Sequence, residues 1–184
     1  GLVGSEMCIR DRWRQDVAEK VTPGNVIKAY LVYETPFWRE RGLSGQSSSD
    51  EGAVRVTFDT TPVDSTRGLL MGFFEGNEAD SLARRPLEVR RRAFVESAVR
   101  AFGVEASEPV EYLERDWSAE QYTRGCHGAH FAPGIWTSNG PVLAAPDGCL
   151  YWAGAEYSTK FNGYMEGAVR SGEEVAATIA VALI

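Results

Sequence analysis

From Ser118 to its end the chain offers one short apolar segment and one long helix, which together are too little to bury a core. The short segment, Leu150-Tyr151-Trp152-Ala153, reads as a buried strand, and the helix runs from about Gly163 to Ala180. Between residues 120 and 148 glycine and proline are frequent and periodicity is weak, which predicts an extended, folded-over loop. This part of the chain therefore needs partners supplied by upstream residues or by residues outside the chain.

The preceding part, residues 13–117, carries stronger signals. Val26 to Tyr33 (VIKAYLVY) follows Pro23-Gly24-Asn25, is rich in β-branched and aromatic residues, and reads as a strand that ends before Pro36. Residues 42–52 are a polar Gly/Ser loop, Ala53–Phe58 and Gly68–Phe74 two further strands, and 110–117 a weakly alternating edge strand. A helix spans Pro86 to Phe102, with proline in its first turn and Gly103 at its C-terminal cap. The expected fold class is mixed α/β, divided after residue 117.

Composition narrows the function. A net charge of −7 and a pI near 5.0 run against nucleic-acid binding. The basic run Arg90-Arg91-Arg92, with Arg84-Arg85 upstream, lies in a helical pattern and reads as a solvated face. No apolar stretch reaches the roughly 18–20 residues that span a bilayer. The closing run Ala176–Ile184 is open between the last turns of a core helix and the start of something cut off, and whether a membrane tail follows Ile184 is open too. Cys8, Cys126 and Cys149 are an odd and sparse set, which favours a reducing compartment and, without a signal peptide in the sequence, the cytoplasm. GLVGSEMCIRDR, residues 1–12, shares no pattern with the rest of the chain and is set aside as a non-native leader; on that reading the chain is a C-terminal fragment.

Two features point to chemistry. Gly163, Gly167 and Ser171 recur at i, i+4 and i+8, with Ala168 and Gly172 beside them. Such a stripe lets a backbone or a flat ligand come close to the first helical turns, and helical glycine costs about 1 kcal/mol against alanine. The alternative is tight packing on a neighbouring element. Lys28 is the only charge on the strand face Val26, Lys28, Tyr30, Val32, so it is either a buried lysine with a partner or an edge lysine reaching solvent.

Three collinear blocks make the chain resemble the flavin-containing monoamine oxidase family over roughly residues 20–180. They are NVIKAYLVYETPFWRE, TRGCHGAHFAPGI at Thr123–Ile135, and YWAGAEYSTKFNGYMEGAVRSGEEVA at Tyr151–Ala176. The resemblance implies a C-terminal portion of a two-domain enzyme: residues 13–117 from the substrate-binding domain and 118–184 from the FAD-binding domain. It implies oxidative deamination of an amine to an imine and then an aldehyde, with O2 reduced to hydrogen peroxide, and it leaves room for a homodimer.

Position by position, the resemblance puts Lys28 at the lysine that holds a water at the flavin. Cys126 falls where many members bond covalently to FAD, although a free cysteine is also a common small buried hydrophobe. Tyr164 and His127 fall on the two rings that face each other around the amine, and histidine stands where tyrosine is usual. Trp117, Gly154, Glu156, Gly163 and Met165 fall on flavin contacts. The resemblance also admits an L-amino-acid oxidase, with Arg124 as the only nearby carboxylate partner, or a polyamine oxidase. A non-catalytic interaction module retaining the fold is a third class. A metal site on Cys126, His127, His130 and Cys149 lacks a paired C-x-x-C, and the serines at 47–49 lack a Gly-x-Ser-x-Gly elbow. No G-x-G-x-x-G occurs, so the chain alone is expected neither to bind FAD tightly nor to oxidise amines.

Overall fold

Strand β2 (Val26–Tyr33) organises the part of the chain with the stronger signals, and the computed structural model shows how. It describes Val17 and residues 19–182; the leader expected at 1–12, Cys8, Trp13 and Ile184 lie outside the described residues. In chain order the elements are β1 (Val21–Pro23), β2, α1 (Phe37–Glu40), β3 (Ser47–Ser48), β4 (Val56–Asp59), β5 (Gly68–Glu75), α2 (Gly76–Ala83) and α3 (Leu87–Phe102). A 3-10 turn (Val104–Ser107), β6 (Glu111–Asp116), β7 (Ala129–Phe131), α4 (Ile135–Leu143), a 3-10 turn (Ala155–Tyr157) and α5 (Met165–Ala182) complete the order. The fold is mixed α/β.

The described residues fall into two compact units, Gly24–Cys126 and a second one made of the residues up to Pro23 with those from His127 onward. The first unit holds an antiparallel sheet in the order β3-β4-β5-β2-β6. Period-two alternation shows in β2: Ile27, Ala29, Leu31 and Tyr33 join the core cluster, while on the other face Lys28 and Tyr30 are half-buried between the buried Val26 and Val32. Helix α3 brings Phe94, Ala98 and Phe102 to the same core at helical spacing, and Phe94 meets Phe74 edge-on at 6.4 Å. Burying a phenylalanine side chain in this way is worth about 1.5–3 kcal/mol. The helix stops at Gly103, whose φ of +96° favours glycine and whose N–H bonds the Val99 carbonyl at 2.9 Å.

Polar groups inside this unit are matched. Tyr33 donates to the Ala106 carbonyl at 3.0 Å, and burial pushes its phenol well above the ordinary range. Burial would raise Glu114, yet hydrogen bonds from Arg90 (2.8 and 2.9 Å) and Tyr112 (2.6 Å) hold its carboxyl below the usual carboxylate range. Burial likewise opposes ionisation of Asp59, but bonds from Arg39 (2.6 Å), Thr61 (2.9 Å) and Trp38 (2.9 Å) outweigh it and bring its pKa down to about 2.

The compact units divide at Cys126/His127, and residues 117–126 turn back on the start of β2. Ser118 Oγ donates to Asn25 Oδ1 at 2.6 Å, Trp117 N–H to the Val26 carbonyl at 3.3 Å, and Cys126 N–H to the Gly24 carbonyl at 2.9 Å. Several sequence expectations are corrected. Residues 150–153 are not a strand: only an isolated bridge joins Leu150 to Asp147, and the Leu150 side chain is exposed. No strand among the described residues lies alongside them, and without a ladder an apolar run has nothing to fix it as a strand. The loop expected at 120–148 contains β7 and α4, and α2 has no counterpart among the expected elements.

In the second unit β7 pairs antiparallel with β1, opposing Phe131 to Val21 and Ala129 to Pro23. Helix α5 is its longest element. Within that unit α5 packs chiefly through small or short residues, Gly167 and Ser171 being the buried ones.

Candidate functional site

The expected site residues divide between the two units. In the unit 24–126 Lys28 stands on the half-buried sheet face, opposite Phe73 on β5 and Arg115 on β6. Its ammonium lies 5.6 Å from the Tyr30 ring centroid and 6.0 Å from that of Phe73, within reach of cation–π attraction. The lysine is neither fully buried nor ion-paired among the described residues; aromatic faces surround its amine instead. Arg115 on the same face is drawn away by Glu120 at 2.6 Å. Trp117 and Cys126 belong to this unit, Trp117 half-buried, and the Cys126 thiol is free.

In the other unit three separate stretches of sequence meet around an open hollow of about 440 Å³. His127, Gly128 and Phe131 come from the loop leading into β7 and from that strand, Trp136 from α4, and Glu156 with Gly163 from the turns before α5. Its composition is two-sided. Phe131 and Trp136 pack edge to face at 4.9 Å, while His127, His130, Glu156 and Asn162 supply polar edges.

The local sequence explains how this shape is held. His127 has a φ of +70°, a left-handed conformation that costs a non-glycine residue about 1–2 kcal/mol. Strained backbone of this kind concentrates at functional sites. Next to it, a Cβ at Gly128 would lie 3.2 Å from Glu156 Oε1, so the carboxylate sits close against that backbone. Asn162 closes the turn after Glu156 by donating to the carbonyls of Glu156 (2.8 Å) and Ser158 (3.2 Å), and Gly163 N–H reaches the Ala155 carbonyl at 3.1 Å. Gly163 itself has a φ of +79° and open space where a side chain would stand, which leaves its backbone approachable.

The small-residue stripe of α5 does two different things. A Cβ at Gly167 would lie 2.3 Å from the Phe161 carbonyl oxygen, so this glycine lets the turn pack directly on the helix. Ser171 meets Gly154, whose N–H and C=O both bond its hydroxyl. Gly172 touches nothing within 4 Å of its missing Cβ.

Of the expected residues, the hollow gathers His127, Glu156 and Gly163. Tyr164 and Met165 come directly after Gly163 in the chain, with 70% and 88% of their surface exposed, and do not line it. Gly154 does not line it either and is bonded to Ser171. Sequence reasoning missed Phe131, Trp136 and Asn162 as lining residues, since one aromatic or one asparagine in a Gly/Pro-rich stretch carries no periodicity. From sequence His130 is a candidate metal ligand only; among the described residues no group of three His, Cys, Asp or Glu side chains could hold a metal ion. Among them, too, no helix is long and apolar enough to cross a membrane.

Sequence and fold together find their class among known proteins. The family of flavin containing amine oxidoreductases matches residues 8–180, and the chain belongs to it. Flavin-containing amine oxidase A of Sus scrofa is 38% identical over 173 residues, covering 92% of this chain and 33% of the pig protein. Two solved structures superpose with a TM-score of 0.87 at 34% identity. Wild-type putrescine oxidase bound to putrescine covers 92% of this chain, cyclohexylamine oxidase from Brevibacterium oxydans 94%, and each match spans 38% of the solved chain. The chain thus spans about a third of the length of these relatives.

Proposed function

We propose that residues 127–163 form part of the flavin-facing wall of an FAD-dependent amine oxidase, and that the half-buried sheet face around Lys28 is part of its substrate-binding domain. The observation that carries this reading is the convergence of the loop at 127–131, Glu156 and Gly163 on one hollow, in a chain whose family is defined by flavin and amine. The residues present fit the ring end of the cofactor. Gly163 leaves backbone without a side chain, and Phe131 and Trp136 give an apolar wall. They do not fit its pyrophosphate, for which this chain has no glycine-rich turn.

When bound, the flavin supplies the two-electron acceptor for cleavage of the amine's α C–H bond, with O2 as the final acceptor and hydrogen peroxide as product. The protein's residues bind and orient. His127 and Tyr164 flank the neutral amine, and Lys28 holds a water on the substrate side, its ammonium kept among rings. By the resemblance, Trp117, Gly154, Glu156, Gly163 and Met165 would contact the cofactor. Cys126, a free thiol, is the attachment point if the bond to FAD is covalent. Cytoplasmic residence and a homodimer belong to the same proposal.

The test is peroxide release by the product of the complete gene across a panel of primary amines, with putrescine and L-amino acids included because those substrates are the competing members of the class. Release with primary amines and not with amino acids supports the reading. A complete, FAD-loaded protein that releases none with any amine overturns it. Acid precipitation then settles the bond: flavin stays with the protein through Cys126 and is freed in Cys126→Ala.

A further inference from the structure

By size alone Ser171 is one more small residue in a packing stripe. The structure gives it a different part. It is a buried hydroxyl, 3% exposed, on the second turn of α5, and it brackets a single residue: Gly154 N–H donates to its Oγ at 2.9 Å, and the Oγ lies 2.9 Å from the Gly154 carbonyl. A third contact, 3.0 Å to the Ala168 carbonyl, fixes the rotamer from within the helix. Gly154 opens the turn Ala155–Tyr157, and the Glu156 of that turn lines the hollow and packs against the backbone of Gly128.

We infer that Ser171 is a positioning residue: it holds the Gly154–Glu156 turn in register on α5, and through Glu156 it sets the backbone at Gly128 beside His127. Alanine would satisfy a packing stripe equally well, so the hydroxyl is the distinguishing element. Toward the flavin the inference rests on the function proposed above; toward the turn it stands without it.

Hydrogen exchange on the 184-residue chain tests the first link. Losing a hydrogen bond worth about 1 kcal/mol speeds exchange of the amide it protected by about five- to tenfold. Ser171→Ala should therefore accelerate the Gly154 amide by about that factor and shift the Glu156 and Gly128 amide resonances. The control is Thr178→Ala on the same helix, where the hydroxyl bonds only the Glu174 carbonyl at 2.8 Å; it should change none of these. Should Ser171→Ala not fold, Ser171→Cys, which leaves no cavity and weakens both bonds, replaces it. An unprotected Gly154 amide in the unsubstituted chain, or a Ser171 variant no different from the control, overturns the inference.

In the complete FAD-loaded protein the same substitution should shift the flavin absorption bands, again without effect from Thr178→Ala. Unmoved bands would confine Ser171 to the turn and overturn its reach to the cofactor. The exchange measurement needs neither flavin nor amine, so its failure leaves the proposed function intact, just as an oxidase test without peroxide leaves the exchange result intact.

Discussion

The two units of this chain hold their shapes by different physics. In residues 24–126 the core cluster is apolar and closed: Ile27, Leu31, Trp38, Leu70, Phe74 and Phe94 are buried to about 1% exposure or less, and the charges that go inside arrive with partners. Among the described residues from His127 onward, one apolar side chain, Leu143, is buried together with Ser158, Gly167 and Ser171, and the shape of the hollow is set by turns, backbone bonds and left-handed residues. Large apolar side chains there, Tyr164, Met165 and Val169, are exposed. One unit is specified by what it excludes from water, the other by hydrogen bonds in its turns, and the second kind of specification leaves surfaces available for ligands.

That contrast can be broken by substitution. Phe94→Ala should cost about 3–5 kcal/mol, enough to unfold the sheet unit, as monitored by the fluorescence of buried Trp38 in urea. If instead it proves as mild as an exposed substitution such as Val169→Ala, expected within about 0.5 kcal/mol, the distinction between the units fails. Arg90→Ala comes next, at about 2–3 kcal/mol, because it leaves Glu114 and Tyr112 without their cation; equilibrium denaturation measures it. In the other unit Gly167→Ala should cost about 1–3 kcal/mol, its methyl group driving the Phe161 backbone off α5. The signature is faster hydrogen exchange confined to residues 154–164 while the sheet stays protected.

The remaining effect is a pH effect. Asp59 has a folded pKa of about 2 against an ordinary value of 3.8, so it binds its proton more weakly in the folded protein. Its contribution to stability is complete above about pH 4 and lost as the pH falls through 2. Asp59→Asn should flatten that part of the acid-denaturation curve and leave neutral behaviour otherwise smooth. An unchanged acid limb would remove Asp59 from the account.

Legibility in the sequence divides the same way. Strands β2 and β5 and helix α3 can be read because burial in a self-contained core imposes its period on the residues. Helix α2 escapes because only Ala79 and Leu82 are buried in an otherwise polar run that opens on a glycine. Helix α4 contains Gly140 and Pro141, which local propensity counts against it. The apolar run at 150–153 misleads because its composition suits a strand while no neighbouring strand exists among the described residues to receive it. For the site, resemblance supplies His127, Glu156 and Gly163, but no pattern marks Asn162 or Trp136, whose roles arise only when distant turns meet. Ser171 is visible in the sequence only by its size, and size does not disclose what its hydroxyl holds.

One further consequence lies at the rim of the sheet. Among the described residues strand β6 is an outermost strand, and four of its six residues, Glu111, Glu114, Arg115 and Asp116, are charged. At the opposite rim β3 is only two residues long. An open row of amides is an invitation to fibril growth, and short or charged rims are the common defence against it. Among the described residues, what discourages edge-to-edge strand pairing is written into the border of the sheet rather than into its faces.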